Sequence, residues 1–167
     1  MNWVLSYRAA AGARVVADRH YNRQKIGAAQ FVPPGGCAVL ATADYGAVWV
    51  TSTPKPEFVK HAWPNAWVNS LFRNETREVL SSTLIIEAVA ASLWLLGPPP
   101  ALGIVSFVDA GEVRRKRDPG RCYRRAGWEH VGFTKAGLFT FQLVPDRMPP
   151  AAQPLTRNLT FAFEAAQ

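Results

Sequence analysis

Cysteine and long apolar runs are scarce in this chain, and each scarcity excludes a class of protein. Cys37 and Cys122 are the only cysteines. They are too few for a disulfide-stapled scaffold or a four-thiolate metal site, so we expect two reduced thiols and a reducing compartment. The longest apolar stretch, residues 84–96, contains Glu87 and is shorter than the roughly 20 residues that span a bilayer. We therefore expect no transmembrane helix and no membrane partner.

The N-terminal sequence also lacks the pattern of a secretion signal. Tyr7, Arg8 and Arg14 interrupt the region where a continuous apolar stretch and a cleavage site would be needed. We therefore expect the protein in the cytoplasm. With 167 residues, 49% of them hydrophobic and 19% charged, the chain is suited to one globular domain with a packed core.

Acidic residues are outnumbered: 12 Asp and Glu stand against 19 Lys and Arg, which gives a net charge of +7. The basic excess is densest in residues 112–125, with Tyr123 inside this stretch and Trp128 just beyond it. Guanidinium groups bind phosphates and aromatic rings stack on bases, so the stretch favours a nucleic-acid partner over a solvated charged loop. Its basic side chains are Arg114, Arg115, Lys116, Arg117, Arg121, Arg124 and Arg125.

The hydrophobic pattern predicts an α/β (α+β) protein with one central mixed sheet flanked by helices. The clearest helix covers 81–96, where apolar residues recur at helical spacing before Gly97 and three prolines. Shorter helices are predicted within 9–21 and near 119–126. Strands are predicted at 2–8, 37–42, 47–51, 66–72, 102–109, 130–134 and 138–144, the second and third forming a hairpin. We expect a domain over 1–147 and a Pro/Ala-rich tail over 148–167, with a linker at 148–154 and an edge strand at 159–163.

The order of elements over 66–143 resembles the GNAT acyltransferase fold. The stretch PGRCYRRAGWEHVGF is similar to the short tyrosine-bearing helix, Gly-aromatic pair and strand of that fold. The resemblance implies an acyl-CoA-type donor at the start of the long helix, where backbone N–H groups bind pyrophosphate. The equivalent loop here has serines where those enzymes have glycines, and it contains Glu78, which would repel phosphate. The donor-binding residues implied are Arg77, Ser81, Ser82, Arg121 and Tyr123.

Shorter motifs are similar to the phage-encoded Mom-type DNA-modification proteins, a divergent GNAT-like group. The motifs are DRHYNR from Asp18, QFVPPG from Gln30, SLFRNE from Ser70 and FVD from Phe107. This resemblance covers roughly residues 15–143. It implies transfer of a carbamoylmethyl or related acyl-type group to adenine N6, which protects DNA from restriction in a bacterial host cell. The partners implied are double-stranded DNA, contacted by Arg114, Arg115, Lys116, Arg117, Arg124 and Arg125, and a small-molecule group donor. The oligomeric state is left open, a dimer being one option.

The resemblance places the reaction centre at His20, Tyr21 and Asp109. An imidazole titrates near neutral pH, a phenol can donate or accept, and Asp109 is the last residue of a predicted buried strand. Such proteins are reported to need iron, which implies these three residues as ligands of a kind iron accepts. Each has a plainer interpretation as well. His20 and Tyr21 suit a packed core, and Asp109 suits a turn cap before Gly111.

An enzyme acting on adenine N6 in duplex DNA must extrude the base and stack it on aromatic side chains. The candidates are Trp63, Trp67, Tyr45 and Phe31, whereas Trp49 and Trp94 fit core positions. Two competing hypotheses remain. One is an acyl-CoA-dependent N-acetyltransferase acting on a small amine or protein, and the other is a basic DNA-binding accessory protein without chemistry, whose binding would depend on salt.

Overall fold

The computed structural model of the chain describes residues 1–55, 57, 59, 61–112 and 118–156, which form a mixed α+β fold with one sheet. The described strands are β1 (Val4–Leu5), β2 (Gly36–Ala41), β3 (Ala47–Thr53), β4 (Trp67–Asn74), β5 (Ile104–Val108), β6 (Glu129–Phe133) and β7 (Phe139–Leu143). The described helices are α1 (Ala11–Asp18), α2 (Ser81–Leu96) and α3 (Arg121–Arg125), with a 3₁₀ turn at Pro145–Arg147.

The sheet has the strand order β1-β2-β3-β4-β5-β7-β6. Only the β4–β5 pair is parallel among the described strands. Its register extends from the pair Trp67 and Ile104 to the pair Asn69 and Ser106. Strand β4 continues to Asn74 beyond this register, so the two strands separate and leave an opening in the middle of the sheet.

Alternating residues of the central strands supply two cores, one on each face of the sheet. Leu40 and Trp49 belong to the core that packs against α2 and α3. Their neighbours Val39 and Val48 belong to the core beneath α1. The resulting layers hold the C-terminal end of α1 and the N-terminal end of α2 against the opening between β4 and β5.

Helix α2 confirms the prediction for 81–96. Leu84, Ile85, Ala88 and Val89 are buried at helical spacing. The helix ends at Gly97, whose φ of 83° is in the left-handed region that glycine adopts readily and whose N–H donates to Leu93 O. The hairpin of β2 and β3 is also confirmed.

Other expectations about the elements need correction. The first strand covers two residues rather than 2–8. Trp49 is fully buried as expected, but Trp94 is 49% exposed because it lies on the outward side of α2. Residues 148–154 do not behave as a linker, since Ala152 N–H donates to Ala90 O of α2. The chain then reaches Leu155, which forms a parallel bridge with Val4. The predicted edge strand at 159–163 lies outside the described residues.

Within the described part of the chain, no helix combines the length and apolarity needed to cross a membrane. The sulfur atoms of Cys37 and Cys122 are not joined in a disulfide.

Candidate functional site

A cleft of about 740 Å³ opens where β4 and β5 separate. Its walls come from the turn after α1, from β4 and β5, from the first turn of α2 and from α3. The lining includes His20, Tyr21, Asn22, Asn69, Ser70, Arg73, Ser81, Ser82, Ser106, Phe107, Glu112, Arg121, Tyr123 and Arg125.

A bulge in β4 shapes one wall of this cleft. Val50 of β3 is paired with Leu71, whereas the next residue, Thr51, is paired with Asn69. Ser70 is therefore the extra residue in β4, and bulges of this kind re-aim side chains beside functional sites. Its backbone carbonyl accepts a hydrogen bond from Asn22 Nδ2 at 3.1 Å, which attaches the turn after α1 to the bulge.

His20 and Tyr21 lie in that turn, and their rings stack with centroids 4.4 Å apart. His20 Nδ1 lies 2.5 Å from Asn22 Oδ1. Burial lowers the pKa of the His20 imidazole, so this side chain is neutral at pH 7. Burial raises the pKa of the Tyr21 phenol even though 41% of this residue stays exposed, so the phenol keeps its proton. The pair thus combines a neutral imidazole with a protonated phenol at the mouth of the cleft.

An ion-pair network fixes this turn to the end of β4. Glu75 accepts from Arg19 Nε at 2.8 Å and from Arg73 Nε at 2.5 Å. Arg73 also donates from Nη1 to Arg19 O at 2.6 Å. The two guanidinium groups, Arg19 first, lower the pKa of the Glu75 carboxyl to about 2. The C-terminal end of α1 is therefore anchored beside the cleft by charge as well as by packing.

Asp109 lies directly after β5, at the strand end where the sequence predicts it. Two roles were expected for its carboxylate, a place in the reaction centre and a turn cap, and the hydrogen bonds show the turn cap. Asp109 Oδ1 accepts from Gly111 N at 2.8 Å, which caps the turn. Contact with Tyr21 is made by the main chain, because Asp109 N–H donates to Tyr21 Oη at 3.3 Å. Asp109 therefore borders the His20–Tyr21 pair and supports the position of the Tyr21 hydroxyl.

Among the three residues implied as iron ligands, His20 and Tyr21 are in ring contact, Asp109 contacts Tyr21 through its backbone N–H, and Asp109 Oδ1 accepts from Gly111 N. Across the described ranges, no three His, Cys, Asp or Glu side chains are grouped so that they could hold a metal ion. Iron binding stays a prediction of the family resemblance.

Most of the implied donor-binding residues lie on the cleft. Ser81 and Ser82 open α2 on one wall, where Ser81 Oγ accepts from Asn74 Nδ2 at 3.1 Å. Arg121 and Tyr123 of α3 also line the cleft. Arg77 is exposed and is not among the lining residues.

The basic residues divide into three groups. Arg125 is exposed and lines the cleft. Arg124 is exposed but has partners in the protein, since it pairs with Asp118 and its guanidinium lies 5.4 Å from the centroid of the Phe141 ring. The predicted contacts Arg114, Arg115, Lys116 and Arg117 lie outside the described residues.

Burial removes two of the four predicted stacking residues. Phe31 and Trp67 are 6% and 7% exposed, so neither can receive an extruded base. Tyr45 lies in the β2–β3 turn and packs against the core beneath α1. Trp63 is partly buried, and its ring centroid is 6.3 Å from that of Phe107, a residue of the cleft wall. Trp63 is therefore the aromatic candidate closest to the site.

The polar floor of the cleft consists of Asn69, Ser106 and Tyr123, and sequence reasoning missed the first two of these residues. Asn69 Oδ1 accepts from Tyr123 Oη at 2.7 Å and from Ser106 Oγ at 3.2 Å. A usable signal was present, since Asn69 and Ser106 are polar residues inside otherwise apolar predicted strands. Buried polar residues of this kind need partners, and each of these finds its partner on another element.

No protein-family model, curated protein or solved structure matches this chain. The support for a function therefore comes from the geometry of the cleft and from the motif resemblances of the sequence.

Proposed function

We propose that this protein is a GNAT-like, Mom-type DNA-modification enzyme that transfers a carbamoylmethyl or related acyl-type group to adenine N6. One observation carries the proposal: predicted site residues that are distant in the sequence line the same cleft. They come from three separate parts of the chain, namely His20 with Tyr21, Ser81 with Ser82, and Arg121 with Tyr123.

The size of the cleft supports a two-substrate reaction. Its volume of about 740 Å³ is within the range of pockets that enclose drug-sized molecules, so an extruded base and a small donor can share it. The first turn of α2 offers backbone N–H groups to an anionic donor on one wall. Arg121 and Arg125 are exposed and also line the cleft, and in this proposal their guanidinium groups pair with DNA phosphates.

The chemistry of the lining supports attack by an amine. The lone pair of adenine N6 is delocalised into the ring, so the reaction needs a group that accepts a proton or orients the amine. A neutral His20 is able to accept that proton at pH 7, and Tyr21 keeps a proton to donate to the donor's departing or polarised oxygen. Asp109 holds the Tyr21 hydroxyl through its backbone N–H.

Mass spectrometry of nucleosides from plasmid DNA tests the proposal. The plasmid is recovered from bacteria that express the wild type, His20→Ala or His130→Ala, the last being an exposed histidine of β6 away from the cleft. We expect a deoxyadenosine adduct near the carbamoylmethyl mass with the wild type and His130→Ala. We expect none with His20→Ala, whose folding is checked by circular dichroism.

Two results would contradict this assignment. Unmodified DNA in the presence of folded wild-type protein would argue against DNA modification. An adduct that persists in folded His20→Ala would remove His20 from the reaction centre.

One observation favours a second function, an acyl-CoA-dependent N-acetyltransferase acting on a small amine or protein. The N-terminal end of α2 faces the cleft with Ser81 and Ser82 on its wall, which is the position the GNAT resemblance implies for an acyl-CoA donor. Isothermal titration with acetyl-CoA distinguishes the two functions. Tight binding that is lost in Ser82→Glu, together with unmodified DNA, would favour the acetyltransferase.

A further inference from the structure

The floor of the cleft is a buried group of three polar side chains from three different elements. Asn69 of β4, Ser106 of β5 and Tyr123 of α3 are 5%, 2% and 6% exposed. All three also line the cleft. The directions of their hydrogen bonds therefore decide which chemical groups the floor offers to a bound molecule.

The orientation of the Asn69 amide is forced by the main chain. Its Nδ2 donates to Val50 O of β3 at 3.1 Å and to Leu71 O of β4 at 2.9 Å, and these two residues are partners in the register next to the β4 bulge. Turning the amide over would place Oδ1 against two carbonyl oxygens, and none of these three atoms carries a proton. Asn69 Oδ1 must therefore face the two hydroxyl groups.

This orientation fixes where the hydroxyl protons lie. An amide oxygen only accepts, so Tyr123 Oη must donate its single proton to Asn69 Oδ1 across 2.7 Å. Ser106 also directs its single proton into the group, since its Oγ donates to Asn69 Oδ1 at 3.2 Å. The remaining hydrogen-bonding capacity of both hydroxyl oxygens is their lone pairs.

Burial keeps the Tyr123 phenol protonated. It raises the pKa of the Tyr123 phenol well above its ordinary value, so the proton shared with Asn69 stays on the phenol throughout the physiological range.

We infer that the floor of the cleft is a hydrogen-bond acceptor subsite that binds an N–H group of the substrate, with Tyr123 acting as an acceptor and not as a proton donor. Naming that group as the exocyclic amine of adenine depends on the proposed function. In this assignment Tyr123 and Ser106 supply the acceptors that orient the amine, while Asp109 Oδ1 accepts from Gly111 N. An acceptor floor also discriminates among bases, because the corresponding group of guanine or thymine is a carbonyl oxygen, which has no proton to donate.

Paired nucleosides test the substrate class. We would measure Kd by isothermal titration for 2′-deoxyadenosine and for purine 2′-deoxyriboside, which lacks the amine. The proteins are the wild type, Tyr123→Phe, and Tyr7→Phe as a matched control at an exposed tyrosine that is not among the lining residues. We expect the wild type and Tyr7→Phe to prefer deoxyadenosine by about three- to tenfold, and Tyr123→Phe to bind the two nucleosides about equally.

Equal binding by the wild type, or a preference that survives in Tyr123→Phe, would overturn the inference. If Tyr123→Phe fails to fold, Ser106→Ala replaces it and is expected to reduce the same preference. Neutron diffraction of the wild-type protein provides a readout without any ligand. We expect the Tyr123 hydroxyl proton on the Asn69 side, and a proton directed into the cleft would overturn the inference.

The possible failures are distinguishable. Modified DNA with no nucleoside preference would overturn the acceptor subsite while the proposed function stands. Unmodified DNA with an intact deoxyadenosine preference would overturn the proposed function and support the subsite. If neither nucleoside binds, the assignment of a nucleobase amine to the floor is wrong.

Discussion

Two glycines flank α3 with similar backbone conformations and different surroundings, which makes them a matched pair for a stability experiment. Gly120 precedes the helix with φ 76°, and Gly127 follows it with φ 88°. A Cβ atom added at Gly120 would lie 2.1 Å from Cζ of Phe141, whereas one added at Gly127 meets no atom within 4 Å. The Phe141 ring is fully buried, so it has little room to move away.

The expected costs follow from this difference. Alanine in the left-handed region costs about 1–2 kcal/mol at either position. Overpacking against the buried ring adds about 1–3 kcal/mol at Gly120 alone. We therefore expect Gly127→Ala to lose about 1–2 kcal/mol of unfolding free energy and Gly120→Ala about 2–5 kcal/mol.

Urea unfolding followed by tryptophan fluorescence measures both variants against the wild type. Helix α3 carries Arg121 and Tyr123 into the cleft, so the displacement caused by Gly120→Ala should also weaken the preference for deoxyadenosine. Equal losses of stability in the two variants would refute the packing of α3 on Phe141.

Two further predictions concern the pH dependence of the turn after α1. Glu75→Gln should cost no more than about 1 kcal/mol of unfolding free energy at pH 7, because the ion pairs are partly exposed and screened. The folded-state pKa of Glu75 is lowered to about 2 from 4.5, so the difference from the wild type in urea unfolding should shrink as the pH falls from 4.5 towards 2. A difference that does not change with pH would contradict the ion-pair network. For His20 the folded-state pKa is lowered by burial, so the unfolded chain binds more protons and wild-type stability should fall as the pH drops below about 6.5. His20→Asn should lack this part of the decline between pH 7.5 and 5, and an identical decline in both proteins would show that His20 is not buried in the folded state.

Local patterns account for the parts of the fold that the sequence predicts well. Helix α2 carries its own periodicity and stop signal, and the β2–β3 hairpin carries its own turn. The polar floor of the cleft has no local pattern of this kind. Ser106 is 37 positions from Asn69, and Tyr123 is 54 positions from it, so only the folded sheet brings them together.

Trp94 and Asp109 show that side-chain directions also depend on the folded surroundings and not only on local sequence. Trp94 fits the largely apolar composition of α2, but which side of such a helix faces the core depends on the sheet beneath it. Asp109 was correctly placed at the end of a strand. Its Oδ1 accepts a hydrogen bond from the N–H of Gly111, two residues further on. Sequence patterns thus predict where residues lie along an element better than they predict where side-chain atoms point.

The junction between β1 and Leu155 has a consequence for the order in which the protein assembles during synthesis. Leu5 N–H donates to Leu155 O at 2.8 Å, and Leu155 N–H donates to Trp3 O at 2.9 Å. Trp3 also reaches the core, where its indole donates to Leu84 O at 2.8 Å. Residues 3–5 are synthesised about 150 positions before their partner Leu155, and non-local pairing of this kind slows folding. A nascent chain halted before residue 155 would keep the outer edge of β1 open, which makes this edge a place where a chaperone could act during translation.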